Sequence, residues 1–250
     1  MNTLNYTGKL ILGTSFYQSQ AHSGYTHSMV ATVAVLEKLG VRWDFWPVSG
    51  DFHVERAVNN MLGRFLNDPE ATDFLLIDSD ESWDVQAVIR LLMHPEEVVG
   101  CAYRMKNNWE RYTCTLKSED GVPIGKMLKD GTVLLAADRL PGGFLRLRKS
   151  ALEKFVAAYP DEWFWEGNKD NPVKVPAFFI STVRDHQFFS CDYDFCEKLK
   201  AIGVDLWVDP NADVAHHGMT AYPGNLDKYL RNEKAEREAF AVVREMANEA

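Results

Sequence analysis

The chain has 250 residues, 46% of them hydrophobic and 12% aromatic, enough to bury a sizeable core as one large domain or two small ones. Its formal net charge of −9 argues against a protein held on nucleic-acid phosphates, and no apolar run approaches the ~18 residues of a membrane-spanning helix. The cysteines Cys101, Cys114, Cys191 and Cys196 form no Cys-x-x-Cys, so a structural zinc site is not expected. With a polar N-terminus that lacks a secretory apolar region, they read as reduced thiols of a cytoplasmic protein.

In chain order, Lys9–Thr14 reads as a buried strand, followed by a polar loop over Ser15–Thr26. Helical apolar spacing over Ser28–Leu39 stops at Gly40, a C-cap, and Val41–Val48 forms a second strand. Val54–Leu66 is helical, with Val58, Met61, Leu62 and Phe65 on one face. Phe74–Ile77 is a third strand, Val85–Met93 a helix and Val98–Tyr103 a fourth strand. This strand–helix alternation predicts a mostly parallel sheet with right-handed crossovers. Thr113–Lys117, Lys126–Leu128 and Gly131–Ala136 read as short strands, with turns at Glu119-Asp120-Gly121 and Lys129-Asp130-Gly131. A glycine-led strand from Pro141 to Leu147, a helix over Lys149–Ala158 and a loop over 160–176 follow. Then come a helix over Asp192–Ala201, a strand over Asp205–Val208 and a charged amphipathic helix over Leu226–Ala247. That last helix mixes acids and bases on its polar face, which suits packing or oligomer contacts better than a membrane surface.

The most informative stretch is Asp73-Phe74-Leu75-Leu76-Ile77-Asp78-Ser79-Asp80. Four apolar residues run into two carboxylates spaced i, i+2, which an extended backbone places on one face. Acids crowded at the C-terminal edge of a strand suit a hard divalent cation, and that edge is where α/β sheets bind ligands. The plainer alternative is that Asp78 and Asp80 cap the next helix.

Three further motifs follow. They are Gly142-Gly143-Phe144-Leu145-Arg146-Leu147-Arg148, Ser190-Cys191-Asp192-Tyr193-Asp194-Phe195-Cys196 ahead of Gly203–Pro210, and Ala215-His216-His217-Gly218. Together with the acidic strand end, over residues 9–218, they resemble the GT-A fold glycosyltransferases. The likeness is closest to family-two-like enzymes and short phage or bacterial proteins of that type. The resemblance implies a GT-A, Rossmann-like α/β fold: a mostly parallel central sheet flanked by helices, a smaller mixed acceptor-side lobe and a C-terminal helix. It implies one domain over 1–250, with a nucleotide-sugar-binding lobe at 1–110, an acceptor and catalytic lobe at 111–221 and the helix at 222–250.

The resemblance also implies roles. Asp80 is the first-choice ligand of Mn²⁺ or Mg²⁺, which neutralises a diphosphate leaving group as a Lewis acid. Asp78, with Ser79 between the two acids, binds ribose hydroxyls or a metal-bound water. The late His-x-Gly supplies a further metal ligand, His216 by register with His217 behind it; the plainer fate of one of the pair is a satisfied, partly buried histidine. Asp192 matches the base of inverting members, although Cys191 stands where the family has Glu. Asp194 is a competing base, about 200° away on a helix, and a helix cap is the plainer role of Asp192. The donor pocket falls on Thr14, Ser15, Tyr17, Asp51, Arg56, Asn59 and Gly143, with Lys106 reaching phosphate or sugar; a solvated surface is the alternative for Arg56, Asn59 and Lys106. Trp163 and Trp165 could stack on an acceptor sugar, though core packing is the commoner role.

The function expected is transfer of a sugar from a nucleotide-sugar donor, UDP-linked, to an acceptor that the sequence does not name: saccharide, protein, lipid carrier, small molecule or modified DNA base. The alternatives are a nucleotidyltransferase, disfavoured because Ser15–Thr26 carries no lysine or arginine, and a non-catalytic nucleotide- or sugar-binding module.

Overall fold

The computed structural model describes residues 6–235. Its first half runs β1 (Lys9–Phe16), α1 (Ser23–Leu39), β2 (Arg42–Ser49), α2 (Val54–Asn67), β3 (Asp73–Ile77), β4 (Glu81–Trp83), α3 (Val85–Met93) and β5 (Val98–Gly100). The short strands β6 (Thr115–Leu116), β7 (Ser118–Glu119), β8 (Val122–Pro123) and β9 (Gly125–Met127) lead to β10 (Val133–Arg139), β11 (Phe144–Arg148) and α4 (Lys149–Ala158). Two hairpins follow, β12 (Trp163–Asn168) with β13 (Asn171–Pro176) and β14 (Thr182–Arg184) with β15 (Gln187–Phe189). The chain continues through α5 (Cys191–Ala201), β16 (Leu206–Val208), β17 (Val214–His217) and β18 (Ala221–Gly224). Residues 226–235 are helical. They pack Leu226, Tyr229 and Leu230 on the core, and the remainder of the helix expected to reach Ala247 lies outside the described residues.

A nine-stranded sheet runs in the order β2-β1-β3-β11-β5-β16-β10-β6, with β9 also paired to β10. β11 and β10 oppose their neighbours and the other strands share one direction, so the sheet is mostly parallel in orientation. Every residue of β3 is buried, because helices cover both faces and the strand reads as a continuous apolar run. On one face the core takes Met61 and Phe65 of α2, Leu152 and Phe155 of α4, and Phe195 and Leu199 of α5. On the other it takes Tyr25 and Leu36 of α1 and Val88 and Leu91 of α3. The result is an α/β/α sandwich.

β11 is inserted between β3 and β5, antiparallel to both. Its register, Phe144 opposite Ile77, sets the Gly142-Gly143 pair against the acidic end of β3. A small second sheet, β18-β17-β4, stands beyond that end, with His216 opposite Glu81.

Several local expectations are corrected. Within the expected loop over 160–176, residues 163–176 form the β12–β13 hairpin: Gly167 takes the left-handed φ of +90° before the turn, and Pro172 and Pro176 are tolerated because a two-stranded ribbon consists of edges. The fourth strand ends at Gly100 rather than Tyr103, and the first helix starts at Ser23 rather than Ser28. Neither Asp78 nor Asp80 caps α3; the cap is Asp84, whose carboxylate accepts from the Gln86 N–H at 2.8 Å.

Candidate active site

The end of β3 is held from three sides. The Asp78 N–H donates to the Gly143 carbonyl at 2.8 Å, the His22 N–H to the Ser79 carbonyl at 2.9 Å, and the His217 N–H to the Asp80 carbonyl at 2.7 Å. Loop, glycine strand and late histidine strand are thereby fixed to the acidic turn through backbone groups.

Gly142 and Gly143 let the acids approach. A Cβ on Gly143 would lie 2.5 Å from Glu81 Oε1, 2.5 Å from Tyr103 Oη and 2.6 Å from Asp78 Oδ2, so only glycine fits. A Cβ on Gly142 would touch Asp192 Cβ at 3.7 Å. The two glycines thus separate Asp78, just past β3, from Asp192 in the first turn of α5. Ser190 is the N-cap of that helix. Asp192 accepts from Tyr193 N–H at 2.9 Å and from the Ser190 hydroxyl.

The electrostatics follow from crowding. Burial, then the charges of Asp80 and Asp192, push the Asp78 carboxyl up to about 7, with Lys106 opposing. Glu81 rises well above the carboxylate range through burial and then Asp78 and Asp80. It is fully buried, and neither of its oxygens makes a hydrogen bond of acceptable geometry among protein atoms. The Tyr103 hydroxyl lies close enough to favour its charge and accepts from the Gly143 N–H at 3.3 Å. Burial, Glu81, Asp78 and Asp192 in turn push that hydroxyl upward.

Asp80 is the exposed member of the group. Lys106 pairs with its Oδ2, and Oδ1 faces His216 Nε2 at 3.7 Å. Burial and Lys106 lower the His216 pKa against the pull of Asp80, which leaves a neutral imidazole at pH 7. Its Nδ1 lies 3.2 Å from the Arg104 carbonyl, and its ring meets Tyr103 edge-on at 4.9 Å. His217, the next residue along the strand, turns to the other face. There it stacks on His22 at 3.9 Å, and its Nε2 lies 2.7 Å from the Ser82 hydroxyl.

A carboxylate oxygen beside a neutral imidazole nitrogen is a donor pair that fits Mn²⁺ or Mg²⁺, ions that complete their shells with water and phosphate rather than an all-protein cage. No group of three His, Cys, Asp or Glu side chains converges on a single metal position among the described residues. Asp80 and His216 are therefore the residues that would hold such an ion.

The other expected site residues have specific partners. Asp194 is fully buried and is bound by Arg184 at 2.8 Å, Lys198 at 3.0 Å and the Thr182 hydroxyl at 2.8 Å, on a different face of α5 from Asp192. The Thr14 hydroxyl is 2.7 Å from Tyr25 Oη inside the core. Asn59 is buried and pins Phe179 through both its carbonyl and N–H, each at 2.8 Å. Arg56 donates twice to Asp51, at 2.9 and 3.0 Å, and holds that carboxyl below its usual range. Ser15, one residue before the end of β1, is half-buried, and Tyr17 is exposed, ahead of Gln18 and Ser19 at the left-handed φ values 53° and 57°. Trp163 and Trp165 meet edge-on at 5.0 Å, with the Lys174 ammonium 4.5 Å from the Trp163 ring centre.

Glu81, Tyr103 and His22 were not singled out from the sequence. A signal for Glu81 was present, as the third acid of Asp78-Ser79-Asp80-Glu81; Tyr103 and His22 had none.

No protein-family model and no curated protein matches the chain. Solved structures do. A197 from STIV is similar with a TM-score of 0.50 at 14% identity, over 85% of this chain and 86% of that one. The catalytic domain of Drosophila beta1,4-galactosyltransferase 7, solved with xylobiose, is similar with a TM-score of 0.46 at 11% identity, over 86% and 68%. GalNAc-T7, solved with UDP, GalNAc and Mn²⁺, is similar with a TM-score of 0.40 at 9% identity, over 85% and 44%. Nucleotidyltransferases are also among the similar structures. At these identities the likeness concerns the fold alone, a Rossmann-like α/β sheet with helices on both faces.

Proposed function

We propose that this protein is a glycosyltransferase that uses a nucleotide-sugar donor, UDP-linked and held with a divalent cation, and that it inverts the anomeric centre. The observation that carries this reading is the Gly142-Gly143 pair, with Asp78 on one side and Asp192 on the other, beside the Asp80–His216 pair. Single displacement needs a charge-neutralising end for the diphosphate and, across the anomeric carbon, a base for the acceptor hydroxyl.

Asp192 is the base in this reading. It sits in the first turn of α5, where the Tyr193 N–H and Ser190 hydroxyl orient it. It takes the acceptor's proton as the acceptor oxygen bonds to the anomeric carbon and the bond to the diphosphate breaks. Asp80 and His216 would hold the cation, which supplies Lewis-acid neutralisation of the leaving group. Asp78, between them and Asp192, is suited to orienting a donor hydroxyl. Residues 1–110 would form the donor lobe and 111–221 the acceptor lobe.

Asp192→Asn tests the assignment. Donor affinity should stay within about twofold while transfer to a competent acceptor, or slow donor hydrolysis, falls by 10²–10⁴-fold, the usual scale for a lost general base. Undiminished turnover in that variant would remove Asp192 from the mechanism.

A further inference from the structure

Asp80 meets two partners on its two oxygens. Oδ1 faces His216, whereas Oδ2 is occupied by the ammonium of Lys106. Lys106 reaches it from the segment after β5 by lying across Gly218: a Cβ there would be 3.4 Å from Lys106 Cδ and 4.0 Å from Cγ. Both charged groups are accessible, with 33% of the lysine and 41% of the aspartate side chain exposed, so neither is locked by packing. An exposed pair of this kind is weak, and a divalent ion can displace it.

We propose that Lys106 is a displaceable internal cation, which holds Asp80 while the cleft lacks a divalent ion and yields that carboxylate to the ion, freeing its ammonium for an anionic group of the donor. This rests on the reading of the cleft as a cation and diphosphate site. The chemistry favours exchange over permanent pairing. The flexible stem lies over Gly218, which offers no side chain of its own to hold it, and a lysine is a mobile point charge rather than a fixed fork. The exchange keeps a cation beside Asp80, which has Asp78 and Glu81 close by.

The test is calorimetric titration of Mn²⁺ into the full chain and into Lys106→Met, which keeps the aliphatic stem. The variant should bind Mn²⁺ about tenfold more tightly without nucleotide, a size common for groups that touch a metal ligand. Lys106→Arg, which restores a cation, should return the affinity to within about threefold of the parent. Lys106→Gln provides the same comparison if the methionine variant does not fold. Equal or weaker Mn²⁺ binding by the uncharged variants, with the parent binding normally, overturns the exchange and leaves the metal assignment standing. Absence of Mn²⁺ binding by parent and variants, even with UDP present, overturns both.

Discussion

Glu81 is the costliest residue of the cleft. A fully buried carboxylate loses its hydration, and the nearby Tyr103 hydroxyl does not outweigh that loss, so Glu81 stays protonated or weakens the fold. Because its folded-state pKa is raised, the protonated form is the stable one. The penalty is absent below the unfolded value of about 4.3 and grows as pH rises toward the folded value. Glu81→Gln should therefore stabilise the chain at pH 8 by roughly 1–3 kcal/mol, with the gain vanishing near pH 4, as read by denaturant unfolding at both pH values. A loss of stability at pH 8 would mean that the Tyr103 hydroxyl outweighs the burial of the carboxylate. Such an expensive residue, packed against Asp78 and opposite His216, is the kind of strain that folds keep at sites of chemistry.

At the scale of elements, the cleft depends on how α3 and α5 are tied to the sheet. Asp209, just past β16, receives Arg90 at 2.8 and 2.6 Å and lies 3.0 Å from His94 at the end of α3. Burial would raise its carboxyl, but the hydrogen bonds from His94 and Arg90 outweigh burial and hold it below the usual range. The stabilisation is present above about pH 4 and is lost as pH falls through the lowered value. Asp209→Asn should cost about 3 kcal/mol at pH 7, because it leaves a partly buried guanidinium short of its charge partner. Chemical denaturation showing a loss under ~1 kcal/mol would discard that account. In α5, Asp194 is committed to Arg184 and Lys198, so the helix is anchored by one acid and presents the other.

For the whole molecule, the decisive feature is β11 lying between β3 and β5, so that residues from both halves of the chain meet at one sheet edge. A donor bound there bridges elements far apart in sequence and should stabilise them together. A UDP-sugar at about 100 times its Kd adds ~2.7 kcal/mol, seen as a rise in thermal midpoint that requires Mn²⁺. A screen of nucleotide sugars in which none shifts the midpoint, with or without Mn²⁺, would defeat the donor assignment. No helix among the described residues is long and apolar enough to cross a membrane, and all four cysteines are free thiols.

Local order was largely legible across the described residues. Apolar periodicity marked α2 and α3, Gly40 marked the end of α1 with its left-handed φ of 68°, and the fully apolar run before Asp78 marked β3. These depend on neighbours a few residues apart. The β12–β13 hairpin was hidden because its alternation is interrupted by prolines that only an edge ribbon accepts, and β4, β17 and β18 because such short strands exist only through each other. The sequence alone determined the acids, the glycines and the histidine pair, since their chemistry is a property of residue type. Which of them face one another was decided only by the tertiary structure. Strand register and burial placed Asp192 at Gly142, turned Asp194 and His217 away, spent Asn59 on Phe179, and buried Glu81 beside Asp78. Register and burial are set by long-range packing, which no local pattern encodes.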